Sequence, residues 1–350
     1  MSASNVFPID LKSDTVTKPS AAMRKIMSEA EVGDDVYGED PTVALLERTA
    51  AKLLGKEAAL YVTSGTQGNL VSLLTHCAKG DGALVGKDCH ILNYEGYGLA
   101  VLGGIAPLQV DDAKSLPSIE ELERAIPAKG NVHFAQAKLL CIENTHNRGG
   151  GHASKPQEVY ARVEWAHKNG LSVHMDGARL FNATAAIGVT PSEMVKGVDS
   201  VQICLSKGLG APMGSLICSS GDFVDRARYW RKKLGGGLRQ AGIVAAAGLY
   251  ALEHNVARLK DDHDNAALIK DALQKGGLRV SEVGRPTNMI YFSAKNEAEA
   301  DKLLAACRAR EVIFNKTDPY TFRLATHLDV SREQAETAAS VIVGEYQKLG

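Results

Sequence analysis

Apolar residues in the first two thirds of the chain come in short runs separated by polar helices and turns. Ala58 to Thr63, Ala83 to Gly86, Ile105 to Val110, Leu139 to Glu143, Leu171 to Asp176, Asp199 to Leu205 and Gly214 to Ser219 each read as a buried strand. His90 to Tyr94 also reads as strand-like. Between them the pattern changes to helical spacing: Pro19 to Ala30, Pro41 to Leu54, the stretch after the turn Ser64 to Asn69 as far as about Ala78, Ser118 to Ile126, Gln157 to Asn169 and Phe223 to Lys233. Alternating strands and helices from residue 55 to 220 predict an α/β fold, a mostly parallel central sheet flanked by helices on both faces. A long apolar helix over Ala241 to Leu259 is expected to bridge to a second unit. From about Asp261 the pattern becomes helix and short strands, which predicts a smaller α+β C-terminal domain. The expected organisation is an N-terminal arm (1–20), a large domain (21–255) and a small domain (256–350).

Chemistry enters at the ends of the strands. The Asp199–Leu205 run leads straight into Ser206-Lys207-Gly208-Leu209-Gly210. A lysine at the end of a buried strand, followed by glycine, is a poor core residue, because burying an ammonium is costly. It is a good imine-forming amine. The Leu171–Asp176 strand ends in a carboxylate. Pyridoxal phosphate (PLP) needs a lysine for its imine and a carboxylate to keep its ring nitrogen protonated. Lys207 and Asp176, on neighbouring strand ends, would face one crevice. Ser64-Gly65-Thr66, between a strand and a helix, has the geometry that presents free N–H groups to a phosphate. It is neither GxGxxG nor a P-loop, so a nicotinamide-dependent dehydrogenase is disfavoured. Glu143-Asn144-Thr145-His146-Asn147 ends another strand before three glycines and marks a further polar corner.

Charge narrows the partners. Lys and Arg number 40 and Asp and Glu 41, a net charge of −1, which gives no case for nucleic acid or an anionic membrane. No run reaches the roughly 18 apolar residues of a membrane span. Met1 to Ile9 carries no secretory pattern. The six cysteines form no CxxC and lie in apolar segments, so they read as reduced residues of a cytoplasmic protein. The histidines lack zinc-type spacing, and no metal site is expected.

Taken together, Leu11 to Thr17, Gly33 to Pro41, Ser64-Gly65-Thr66, Glu143 to Asn147, His174 to Arg179, Ser206 to Pro212, Gly235 to Gln240 and Arg323 to Val330 resemble the low-specificity L-threonine aldolases. These belong to the PLP-dependent, aspartate-aminotransferase-like (fold type I) superfamily. The resemblance implies retro-aldol cleavage of L-threonine or L-allo-threonine to glycine and acetaldehyde. A phenylserine aldolase or a tryptophanase-like β-eliminating lyase is the alternative. It also implies roles. Lys207 would carry PLP, Asp176 would pair with the ring nitrogen, and Ser64, Gly65 and Thr66 would hold the phosphate. His90 would stack on the ring. Ser13, Arg179 and Arg323 would hold the substrate carboxylate, and Tyr37 and His146 would line its side-chain end. Arg239, with Lys232 or Lys233, would reach the phosphate of a neighbouring subunit in a dimer of dimers. The general base is left between His90 and His146.

Overall fold

The computed structural model describes residues 8–112 and 115–349. The leader reading over Met1 to Ile9 therefore falls largely on residues 1–7, outside the described part. A seven-stranded sheet organises the molecule, in the spatial order Ala58–Val62, Ser215–Ser219, Ser200–Cys204, Ser172–Gly177, Ala137–Glu143, Gly82–Gly86, Ala106–Val110. The last five run parallel to one another, and Ser215–Ser219 is antiparallel to both its neighbours. Three of these strands are buried along their whole length and three more in all but their first one or two residues, as expected where helices cover both faces. Six of the seven runs read as sheet strands fall at these positions, and Ile105 to Val110 loses only its first residue.

Helix ends follow the local chemistry. Asp40 caps the helix Pro41–Leu54, accepting from Thr42 and Val43 N–H, with Pro41 in the first turn and Gly55 in the left-handed conformation behind it. Ser20, Ser64, Ser118, Ser220 and Ser331 each accept from a first-turn N–H of the helix they precede.

Two segments differ from expectation. His90 to Tyr94 is not a strand: His90–Asn93 is one helical turn. Its first N–H goes to a Glu143 carboxylate oxygen at 2.7 Å, and the Asn93 amide closes onto the Lys87 and Cys89 carbonyls. One side-chain acceptor and one side-chain donor thus take the place of a sheet partner, and periodicity cannot register that over so few residues. The expected helix over Ala241 to Leu259 is also interrupted. Gly242–Tyr250 is regular, Ala251–Asn255 widens into a π turn, and a new helix runs Leu259–Lys275. The Asn255 amide leaves that turn to bond the Leu209 carbonyl at 2.7 Å, just beyond Lys207. Such widened turns recur beside functional sites.

A second core stands beyond this break. A four-stranded antiparallel sheet, in the order Asn315–Lys316, Thr321–Ala325, Met289–Ser293, Arg279–Val280, packs under three helices. The arm joins it: Ile9–Asp10 pairs in parallel with Val312–Ile313, and Leu11 is fully buried there. The arm then crosses back, where the Thr17 hydroxyl donates to the Lys207 carbonyl at 2.9 Å.

Candidate active site

A cavity between the sheet's carboxyl ends and the second core is lined by Ser13, His90, Tyr94, Asn147, Arg179, Lys207, Tyr291 and Arg323, and also by Lys316 and Asp318. Five of the residues singled out from sequence therefore meet in one place: Ser13, His90, Arg179, Lys207 and Arg323. Separate segments deliver them, with Ser13 on the arm and His90 on the one-turn helix His90–Asn93. The Ser200–Cys204 strand places Lys207, the turn after Ser172–Gly177 places Arg179, and the Thr321–Ala325 strand of the second core places Arg323.

Asp176 lies behind this wall, 2% exposed, its Oδ1 accepting from Ala178 N–H at 3.0 Å and its Oδ2 from the Asn69 amide at 3.0 Å. The same amide nitrogen donates to Glu95 at 2.8 Å, and Glu95 accepts from His90 Nδ1 at 2.9 Å. His90, Glu95 and Asp176 thus form one cluster knitted by Asn69. Burial pulls the His90 imidazole down, but the Glu95 hydrogen bond and the Asp176 charge outweigh it and hold the ring above its ordinary value.

Arg179 and Arg323 both line the cavity with N–H groups to spare. Arg179 is buried and gives Nε and Nη2 to the two Asp14 oxygens at 2.7 and 2.6 Å. It anchors the arm as it lines the cavity, and its Nη1 hydrogens stay outside the pair with Asp14. Arg323 is half-buried and spends one N–H on Asn147 Oδ1 at 3.2 Å and another on the Lys12 carbonyl at 3.1 Å. Both guanidinium groups therefore keep N–H groups that can meet a carboxylate.

Four sequence-derived residues stand apart. His146 is fully buried outside the cavity, with Nε2 2.9 Å from Asp112 and Nδ1 accepting from Gly149 N–H at 2.9 Å. With both ring nitrogens engaged it cannot line a substrate or act as the base. It instead pins the loop that presents Asn147. Tyr37, Lys232 and Arg239 are exposed on another face, where Arg239 pairs with Asp34 at 2.8 Å and lies over the Tyr37 ring. The glycine loop between Lys232 and Arg239 does approach the site's edge: a Cβ on Gly236 would come within 2.4 Å of the Gln67 amide, in the first turn of the helix after Ser64.

That helix, Gly65–His76, begins in the manner of an anion cradle. The Ser64 hydroxyl takes the Gln67 N–H, and no bond is formed by the N–H groups of Gly65 and Thr66 among the described residues. Beneath it the buried Gln202 side chain has both amide atoms unpartnered, and a Cβ on Gly65 would stand 3.2 Å from its nitrogen. Asn69, Glu95, Asp14, Asn147 and Tyr291 were not singled out from sequence. For Asp14 and Asn147 the only signal was their place inside motifs otherwise valued for Ser13 and His146.

A family model for beta-eliminating lyases matches residues 10–295. The chain is 48% identical over 334 residues to the low specificity L-threonine aldolase of Escherichia coli K12, covering 95% of this chain and 97% of that one. It is 42% identical to low-specificity L-threonine aldolase 1 of Arabidopsis thaliana, covering 92% of each. The chain belongs to the beta-eliminating lyase family. In fold it superposes on the threonine aldolase of Leishmania major with a TM-score of 0.83 at 18% identity, covering 97% of this chain and 100% of that one. It also matches a structure of SPT with PLP, at a TM-score of 0.77 and 18% identity, covering 98% and 88%. Members of this lyase family use PLP, and the residues here fit it: an amine at Lys207, a buried carboxylate at Asp176 and an N–H cradle at Gly65 and Thr66.

Proposed function

We propose that this lyase cleaves L-threonine and L-allo-threonine to glycine and acetaldehyde. The observation that carries the reading is the shared cavity: the Lys207 amine, the His90 ring and the Arg323 guanidinium face one space, with Asp176 directly behind it. PLP bound there supplies the sink for the electrons of the breaking Cα–Cβ bond. Lys207 would hold the cofactor, Asp176 its ring nitrogen, and Gly65 and Thr66 its phosphate, with Ser64 shaping that turn. Arg323 and Arg179 would bind the substrate carboxylate, supported by Ser13 at the cavity wall. His90 would lie against the cofactor and take the β-hydroxyl proton, since it alone of the two candidate histidines reaches the cavity.

The reading includes a cytoplasmic homo-oligomer in which Arg239 and Lys232 serve a neighbouring site, supported by their exposure and by the apolar side chains of Val132 and Phe134 on the surface. Among the described residues no helix is long and apolar enough to cross a membrane.

The test is the product. Purified protein with PLP and L-threonine is expected to yield glycine and acetaldehyde in equal amounts. Pyruvate and ammonia, with no aldehyde, would identify an eliminating lyase and overturn the proposal.

A second prediction concerns pH. The base form of His90 emerges only above its raised pKa, so the acidic limb of kcat/KM should lie above 6.5. Glu95→Gln removes the strongest of the interactions that raise it, and the limb should move to lower pH. A limb that stays in place would take the proton-transfer role away from His90.

A further inference from the structure

One buried polar chain is left unused by these roles. The Asn69 amide nitrogen serves Asp176 and Glu95, and its Oδ1 lies 3.1 Å from His174 Nε2. His174 Nδ1 is 2.8 Å from Ser200 Oγ, which is 2.8 Å from His76 Nε2. His174 and Ser200 oppose each other on adjacent parallel strands and, like Asn69, are buried. His76 is half-buried and borders a separate polar cleft with Lys56, Glu57, Asp199 and Arg226. The chain therefore runs through the layer between helix and sheet, from that cleft to the candidate active site.

Proton positions follow from counting donors. An ionised carboxylate only accepts, so both protons of the Asn69 nitrogen go to Asp176 and Glu95. The Asn69 oxygen then needs a donor, and His174 must carry its proton on Nε2. Burial pulls His174 down to about 4 and His76 down to about 3, so both rings are neutral at working pH. A neutral imidazole has a single N–H. His174 Nδ1 is therefore an acceptor, the Ser200 hydroxyl donates to it, and the Ser200 oxygen accepts from His76. Every donor points the same way, and bonds aligned like this strengthen one another in a low-dielectric interior.

We propose that His76, Ser200, His174 and Asn69 form a one-way hydrogen-bond relay that keeps Asp176 charged and aimed at the cofactor's ring nitrogen, with His174 its principal positioning residue. The inference rests on Asp176 serving that nitrogen. It adds a polar column four side chains long to the support of a single carboxylate.

Two measurements on the PLP-loaded protein test it. Imidazole nitrogen NMR of the wild-type protein should show His76 and His174 as neutral Nε2–H rings between about pH 5.5 and 8.5. An Nδ1–H ring or a cation at either position in that range overturns the relay, whatever reaction the enzyme performs. The second measurement compares His174→Phe, which removes the donor to Asn69, with His174→Gln, whose amide N–H can reach Asn69 in place of Nε2–H. The phenylalanine variant should bind PLP about tenfold to a hundredfold more weakly, as expected for losing support to a charged hydrogen-bond acceptor. It should also shift the pH midpoint of the bound cofactor's visible absorbance. The glutamine variant should recover most of both. Equal losses in the two, or none in either, would overturn the proposal. If His174→Phe does not fold, the wild-type tautomers decide alone. A protein that passes both tests yet releases pyruvate and ammonia would refute the aldolase reading and leave the relay standing.

Discussion

Lys207→Ala is expected to abolish cleavage of L-threonine and to leave the purified protein without the yellow colour of covalently held PLP. Three features of its surroundings point the same way. The residue follows a strand that is fully buried, so its Cα position is set by the sheet. The turn that carries it is fixed from both sides, by the Thr17 hydroxyl on its carbonyl and by the Asn255 amide on the Leu209 carbonyl. The Nζ atom forms no hydrogen bond or ion pair among the described residues, so the amine is held in place with its reactive end uncommitted. Among the described residues one other lysine, Lys316, lines the cavity, and its amine is already paired with Asp301 and Glu297. Without an imine partner, turnover should fall by at least about four orders of magnitude, the scale on which removing a covalent catalyst acts. Borohydride reduction followed by peptide mass analysis should place the adduct on residue 207 in the wild-type protein and nowhere in the variant. Threonine cleavage within tenfold of wild type in Lys207→Ala would sink the assignment.

What could be read in the sequence was whatever a single local pattern carries. Buried strands ending in Asp176 and in Lys207 announce themselves, because an ionisable group after an apolar run contradicts the run. The parallel sheet follows from alternation, and the capped helix after Ser64 from strand, small polar turn and apolar helix. Residues whose meaning lies in a partner far along the chain were not legible. Asp14 looks like any acid in a polar arm until Arg179, 165 positions away, closes on it. Asn69 looks like part of a helix face until Asp176, Glu95 and His174 converge on it. His146 shows the converse. Its polar neighbours at a strand end suggested chemistry, but Asp112 and the Gly149 N–H occupy both its nitrogens, and it holds a loop. The one-turn helix at His90 was misread for the same reason: the acceptor that starts it, Glu143, comes from a strand 53 residues further on.

Asp14→Ala should be the most destabilising single change at the site. Asp14 is fully buried, receives both Arg179 bonds, and has Asn288 at 3.3 Å as a third donor. Burial by itself pushes its carboxyl up, but the charge and hydrogen bonds of Arg179, with help from Lys207 and Asn288, hold it far below the usual range. Truncating it leaves a buried guanidinium with no counter-charge, which costs about 3–5 kcal/mol. The arm would lose its anchor as well, and with it the Ser13 wall of the cavity and the Lys12 carbonyl that positions Arg323. Denaturant unfolding should therefore show a lower midpoint, together with a raised KM for threonine. Asp14→Asn keeps the shape and removes the charge, and so isolates the electrostatic share. Because the folded-state pKa is depressed, that share is fully present above the ordinary value of 3.8 and disappears as pH falls through the folded-state pKa. The stability gap between wild type and Asp14→Asn should then be constant near neutrality and begin to narrow only below about pH 4. Pairing Asp14→Leu with Arg179→Met should recover much of the stability without the activity, since an apolar pair can replace a buried ion pair in packing but cannot orient a substrate. An unchanged midpoint in Asp14→Ala would show that the arm is held by the Ile9–Asp10 strand and the Leu11 side chain, with the ion pair adding nothing.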